Sequence, residues 1–137
     1  MLIRASRVNA RLIRLAGTTA PNNVRDVFWS GRGAVPGARG NAYLFGHTYD
    51  SQPSGVGVLD HLKRLHRGMM IKITKAGKVI RFKVTKTERA PLNLSEKKMA
   101  TLLSHLGTPR MSVTTCLWSK SKGKYVARLI VYAKKIR

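Results

Sequence analysis

The sequence predicts a mainly β chain, closed as a largely antiparallel barrel of about seven to eight strands with two short helices. Three observations carry this reading. Apolar residues alternate with basic ones over short runs, the period of a half-buried strand. Clusters of Gly, Pro, Asn and Ser break those runs at short intervals. Two stretches place apolar residues at helical spacing instead.

Taken in order, residues 2–15 mix apolar residues with Arg in short alternation and read as one or two edge strands. Residues 18–23 form a turn-rich connector, and Ser30-Gly31-Arg32-Gly33 with Pro36-Gly37 marks an irregular loop. Asn41-Ala42-Tyr43-Leu44-Phe45 is a compact apolar strand that stops at Gly46-His47. Residues 48–57, with Pro53, Gly55 and Gly57, return to loop. Val58, Leu59, Leu62 and Leu65 fall at helical spacing, with Gly68 placed as a C-terminal cap. Residues 69–74 and 78–86 form a hairpin around Ala76-Gly77, with Ile80, Phe82 and Val84 alternating with basic residues. Ser95 is a suitable N-cap for a second helix. Its stripe is Met99, Leu102, Leu103 and Leu106, and Gly107 with Pro109 ends it. Residues 111–118 and 124–134 are strands flanking a loop at 119–123.

With 137 residues, the chain suits one domain, residues 1–137, able to bury roughly two-thirds of its unfolded surface. Lys and Arg total 27 against five acids, a net charge of +22. Such a field draws in polyanions without saying anything about fold. Nucleic acid, anionic wall polymers and anionic lipid headgroups are all open as partners. The basic residues are spread between apolar ones, as in Arg11-Leu12-Ile13-Arg14, which reads as the outer face of folded elements. A single cysteine excludes an internal disulfide and a Cys-rich zinc site. No apolar run approaches the roughly 18–20 residues that span a bilayer, and residues 1–7 lack a signal-peptide core. Any export signal or anchor would have to lie outside this segment.

Cys116 ends a β-rich stretch, Ser112-Val113-Thr114-Thr115-Cys116. Nearby cations favour thiolate over thiol, although a free cysteine also packs as a small hydrophobe. If the last two strands form a simple hairpin centred near Lys122, Arg128 falls opposite Cys116, where cross-strand Cβ atoms are roughly 4.5–5.5 Å apart. A guanidinium there offers several donors to a thiolate or an oxyanion. His47 also stands where a strand meets a loop, and an imidazole titrates near neutrality. His61, His66 and His105 read as surface or helix-packing residues.

The segment 40–48, Gly-Asn-Ala-Tyr-Leu-Phe-Gly-His-Thr, resembles the strand-to-histidine motif of sortases. Residues 58–68 resemble the helix that follows it. Ser112-Val113-Thr114-Thr115-Cys116 resembles the family's Thr-Leu-x-Thr-Cys signature, and residues 125–133 its closing arginine strand. The stretch from Phe28-Trp29 to Pro36-Gly37 is similar to the class E and class D-like groups. The resemblance covers nearly the whole chain in the family order of His, Cys and Arg. The chain departs from the family at Ser112-Val113, where Thr-Leu is usual, and at Met69, where an acid often follows the glycine.

This resemblance implies a sortase-type β-barrel and a cysteine transpeptidase acting outside the cell membrane. Its substrate would be a protein with a C-terminal Leu-x-x-Thr-Gly-like sorting signal. Its acceptor would be an amine from a wall precursor or a pilin lysine. Cys116 would be the nucleophile, His47 its partner acid or base and Arg128 the oxyanion's partner, with Thr115 orienting substrate or simply packing in its strand. The loop at 90–93 and the second helix would wall the signal groove. Trp29 and Trp118 read as core or rim packing. No cofactor is implied, and no metal-ligand spacing is present. The rival reading is a basic barrel binding nucleic acid, with Tyr43, Phe45, Phe82 or Tyr125 stacking on bases. A sortase-like scaffold without activity is a third.

Overall fold

A computed structural model describes residues 1–21, 23–48, 57–119 and 121–136. Its strands are β1 (Leu2–Ala5), β2 (Val8–Leu15), β3 (Val27–Ser30), β4 (Asn41–Phe45), β5 (Met70–Lys75), β6 (Lys78–Ala90), β7 (Arg110–Ser119) and β8 (Lys124–Ile136). They close as a barrel in the order β1-β2-β3-β4-β7-β8-β6-β5. The pairs β2–β3 and β4–β7 are parallel, and the others are antiparallel. Closure leaves residues 2–15 no free edge. They form two strands paired on both sides, not edge strands.

Strand alternation divides the apolar residues between two cores. Val8, Leu12, Leu44, Ile71, Ile73, Phe82, Met111, Val113 and Val131 fill the barrel. Phe28, Tyr43, Phe45, Ala90, Leu102 and Ile130 form a second cluster on the outer face of β3, β4, β6, β7 and β8. Each fully buried aliphatic contributes about 1.5–3 kcal/mol. A bulge in β6 between Val84 and Lys86 changes the alternation. Val84 points inward, yet Ala90 joins the outer cluster.

Strand β3 is absent from the sequence reading because all four of its residues are buried. It therefore shows no polar alternation and looks like a continuation of the loop. The Ala76-Gly77 turn is as expected, with φ of 49° and 78°, the two left-handed positions of a tight hairpin. The first helix is a 3-10 helix, Val58–Arg64. Leu59, Leu62 and Leu65 are buried at every third position, which fits three residues per turn.

The second helix, α1 (Glu96–Leu102), begins on the expected Ser95 cap, whose side chain accepts from Lys98 N–H. It ends earlier than its apolar stripe. Asn41 Nδ2 donates to Leu102 O at 2.8 Å, and Asn41 N–H donates to Ser104 O at 2.6 Å. Strand β4 thereby takes carbonyls that a longer helix would use. Leu106, expected on the stripe, is 79% exposed, and His105 lies beyond the helix.

Candidate active site

The hairpin of β7 and β8 pairs Cys116 directly with Arg128. The pairing depends on an irregularity. Ser119 pairs with Lys124 and Trp118 with Tyr125, one residue out of step with Leu117–Ala127 and Cys116–Arg128. An extra residue at Val126 absorbs the difference, so a bulge restores the register that a simple hairpin centred on Lys122 predicts. On its other side Arg128 pairs with Ala90 of β6. Two residues on, Leu92 O accepts from Arg128 Nε at 2.5 Å. That bond fixes the guanidinium and leaves its Nη donors for other partners.

Cys116 is half-buried. Burial pushes its thiol above the ordinary value, and the Arg128 charge pulls it part of the way back. Alternation along β7 places Ser112, Thr114 and Cys116 on the outer face, with Arg128, Ile130 and Tyr132 beside them on β8. Tyr43 and Phe45 stack at 5.3 Å and are buried on the same face.

His47 follows two residues after β4, on chain that stays against β7. Gly46 N–H donates to Thr114 O at 3.3 Å, and Thr115 Oγ1 donates to Gly46 O at 3.0 Å. Thr48 Oγ1 lies 2.8 Å from Thr115 Oγ1 and donates to the carbonyl of Cys116. His47 sits between these anchors, so its backbone runs beside the end of β7. Its Nε2 contacts Pro21 O at 2.6 Å. A carbonyl only accepts, so Nε2 is the donor in this contact and Nδ1 is the ring nitrogen left as an acceptor.

Thr115 is 3% exposed, with its hydroxyl engaged by Gly46 and Thr48. It ties the His47 segment to β7. Trp29 is buried in the barrel core, while Trp118 is 39% exposed and meets Tyr125 edge-on at 5.0 Å. Among the other histidines, His61 is half-buried in the 3-10 helix, His66 is exposed, and His105 Nε2 donates to Arg32 O at 2.9 Å. Tyr43, Phe45 and Phe82, three of the four stacking residues of the nucleic-acid reading, are each 4% exposed or less, while Tyr125 is half-buried against Trp118. The three buried rings pack in the two cores and present no face to a base. The loop expected at residues 48–57 lies outside the described residues except at its two ends.

The family model of the Sortase domain matches residues 1–136. The chain belongs to the sortase family. Sortases are cysteine transpeptidases, and Cys116 is the one cysteine of this chain. No curated protein matches the sequence. Among solved structures, a Clostridium perfringens sortase D5 transpeptidase is 24% identical, with a TM-score of 0.73 over 99% of this chain and 78% of its own. Sortase C-1 of Actinomyces oris is 18% identical, with a TM-score of 0.76 over 99% of this chain and 73% of its own. Listeria monocytogenes sortase A is 18% identical, with a TM-score of 0.73 over 99% and 86%. At these identities the three share the barrel with this chain, and they span three sortase classes.

Sequence reasoning did not single out Thr48, Leu92 or Gly57. Thr48 and Gly57 flank the expected loop as small residues, and their contacts are made only after folding. Leu92 acts through its backbone carbonyl, which no side-chain pattern reveals.

Proposed function

We propose that this sortase is an active transpeptidase in which Cys116, His47 and Arg128 carry the reaction. The observation that carries this reading is the direct cross-strand pair of Cys116 and Arg128, with the His47 segment tied to the same end of β7. The substrate is a protein bearing a C-terminal Leu-x-x-Thr-Gly-like signal. It lies on the outer face, against the cleft lined by Ala90, Pro91, Asn93, Leu94 and α1.

The Cys116 thiol gives up its proton to His47, and the thiolate attacks the carbonyl carbon of the signal's Thr. Negative charge moves to the carbonyl oxygen, where the Nη donors of Arg128 stabilise it. Collapse breaks the Thr–Gly bond. His47 returns its proton to the departing amine, leaving a thioester on Cys116. An acceptor amine then attacks the thioester, forms the new amide and releases the thiol. By family analogy the acceptor is a wall precursor or pilin lysine, and the site of action is outside the membrane. No helix among the described residues is long and apolar enough to cross a membrane.

The test is a quenched-fluorescent peptide library built on Leu-x-x-Thr-Gly, with triglycine as acceptor and intact mass spectrometry on wild type and Cys116→Ala. A thioester adduct on Cys116 and a triglycine-ligated product are expected, both lost in the variant. Folded wild type giving neither adduct nor cleavage across the library would overturn the proposal.

A further inference from the structure

The barrel carries a band of cations that the thiol chemistry does not use. Arg4 of β1 pairs in register with Lys72 of β5, and Lys72 pairs with Arg81 of β6. Two residues further along the same face of β6, Lys83 pairs with Lys134 of β8, and Lys134 pairs with Arg110 of β7. All six side chains are exposed. Like charges placed directly opposite across strands destabilise a sheet, and here two such rows run end to end over five neighbouring strands. No ion pair relieves them among the described residues.

The band deepens at one end. Two adjoining clefts of about 310 and 590 Å³ share Thr85 and Lys134. Arg67, Lys83, Lys86 and Arg110 add charge to their walls, and among the described residues no acid lines either. Thr85, the unpaired residue of the β6 bulge, lines both clefts, and its Oγ1 donates to Tyr132 O of β8 at 3.3 Å.

We propose that this band is a binding site for a linear phosphodiester polymer without bases. At about 4.8 Å between strands, five strands span about 19 Å, long enough to meet several consecutive phosphates. Three of the six cations are arginines, whose planar forks match phosphate oxygens. Nucleic acid fits less well because the band offers no stacking platform. Tyr132, the ring that lines one of these clefts, is covered by Lys86 Nζ at 4.7 Å and Lys98 Nζ at 5.8 Å. A membrane fits less well because the band follows five of the eight strands around a closed barrel, and a planar surface meets only part of that arc. Exposed Leu2 and Val79 border one end, as single aliphatics that are ordinary on a surface. Arg110 lies six residues from Cys116 on β7, about 20 Å away. The polymer site and the thiol are therefore separate, and the inference does not rest on the transpeptidase reading.

The test is fluorescence anisotropy of a labelled synthetic glycerol phosphate oligomer, titrated with the protein at several salt concentrations. The triple variant Arg81→Ala/Lys83→Ala/Lys134→Ala should weaken binding at least about tenfold and lower the slope of log K against log salt by about 2, at roughly 0.7 per lost phosphate contact. Lys134→Glu should also weaken binding, yet raise the Tm, because it turns a like-charge row into ion pairs with Lys83 and Arg110. That rise separates loss of the site from loss of the fold. Arg7→Glu, an exposed cation off the band with the same change in net charge, should leave affinity within about twofold. An equal loss in Arg7→Glu reduces the effect to net charge and overturns the proposal. So does tighter binding of an oligothymidylate of equal charge, or binding to phosphatidylglycerol vesicles with none to the soluble oligomer.

Discussion

The hydroxyls of Thr48 and Thr115 lie 2.8 Å apart, one on the segment that carries His47 and the other on the strand that carries Cys116. Each hydroxyl has one proton to give, and three acceptor contacts compete for the two protons: Gly46 O, Cys116 O and the partner hydroxyl. The pair acts as a small adjustable clasp between two chain segments that no described strand pairing holds together beyond Phe45 and Thr114.

Removing either hydroxyl at constant shape should loosen this clasp. Thr115→Val leaves Gly46 O and the Thr48 hydroxyl short of a partner in a buried position and should cost about 1–2 kcal/mol. Thr48→Val should cost a similar amount, and the double variant should cost less than the sum of the two. Peptide turnover should fall more steeply than stability, with kcat reduced and KM little changed, and Thr48→Ser should restore it. Equal, additive losses in stability alone would reduce both residues to strand packing.

The site was legible in the sequence where one side chain faced another across a hairpin. Cys116 and Arg128 could be matched by counting, although the count succeeded through the bulge at Val126 and not through a symmetric turn. Contacts made through backbone carbonyls were not legible. Leu92 O holds Arg128 and Pro21 O holds His47, and neither residue type announces such a role. The barrel was readable from alternation on β6 and β8 and from the cap at Ser95. It was unreadable at β3, where burial on both faces removes the alternation. The end of α1 is set by Asn41, 61 residues earlier in the chain, so no local stop signal marks it.

The reactivity of Cys116 should rise with pH. Burial raises its thiol pKa while Arg128 lowers it, so at neutral pH the thiol form dominates. Alkylation by iodoacetamide should climb about tenfold per pH unit until the thiol pKa is passed. Arg128→Ala removes the attractive charge, moves the pKa further up and should slow alkylation at any fixed pH below it. Arg128→Lys keeps the charge but not the planar fork. It should recover alkylation while leaving peptide turnover low, which separates thiolate stabilisation from oxyanion binding.

A second titration concerns the docking of α1. Glu88 accepts from Lys98 Nζ at 2.7 Å and from Tyr132 Oη at 2.5 Å. The Lys98 bond, followed by that of Tyr132, holds the Glu88 carboxyl below its usual range, while Glu88 raises the Lys98 ammonium. A carboxyl with a depressed folded pKa adds stability above its unfolded value, near 4.3, and loses it as pH falls through the folded value. A raised ammonium adds stability below about 10.4 and loses it as pH rises through the folded value. The stability difference between wild type and Glu88→Gln should therefore be flat from about pH 5 to 10 and shrink at both ends. Both partners are a third exposed, so solvent screening limits the plateau to about 0.5–1 kcal/mol. Urea melts across that range measure it.

Gly57 offers a way to disturb His47 while leaving the barrel intact. Its N–H donates to Thr48 O at 2.5 Å, and Leu59 N–H donates to His47 O at 3.3 Å, so the start of the 3-10 helix lies against the His47 backbone. A Cβ on Gly57 would overlap the His47 carbonyl oxygen. It would also stand 2.7 Å from the His47 carbonyl carbon and 2.9 Å from that of Thr48. These are backbone atoms and cannot rotate away, so the His47 segment must shift. Displacement of a reacting group by about 1 Å costs on the order of 100-fold in rate, and Gly57→Ala should lose turnover on that scale. Cys116 stays anchored on β7, so its alkylation rate should hold near wild type. Gly17→Ala meets nothing within 4 Å and serves as the matched control, with turnover unchanged. If Gly57→Ala slows alkylation as much as turnover, the disturbance has reached β7 itself, and His47 is not the group whose position the glycine protects.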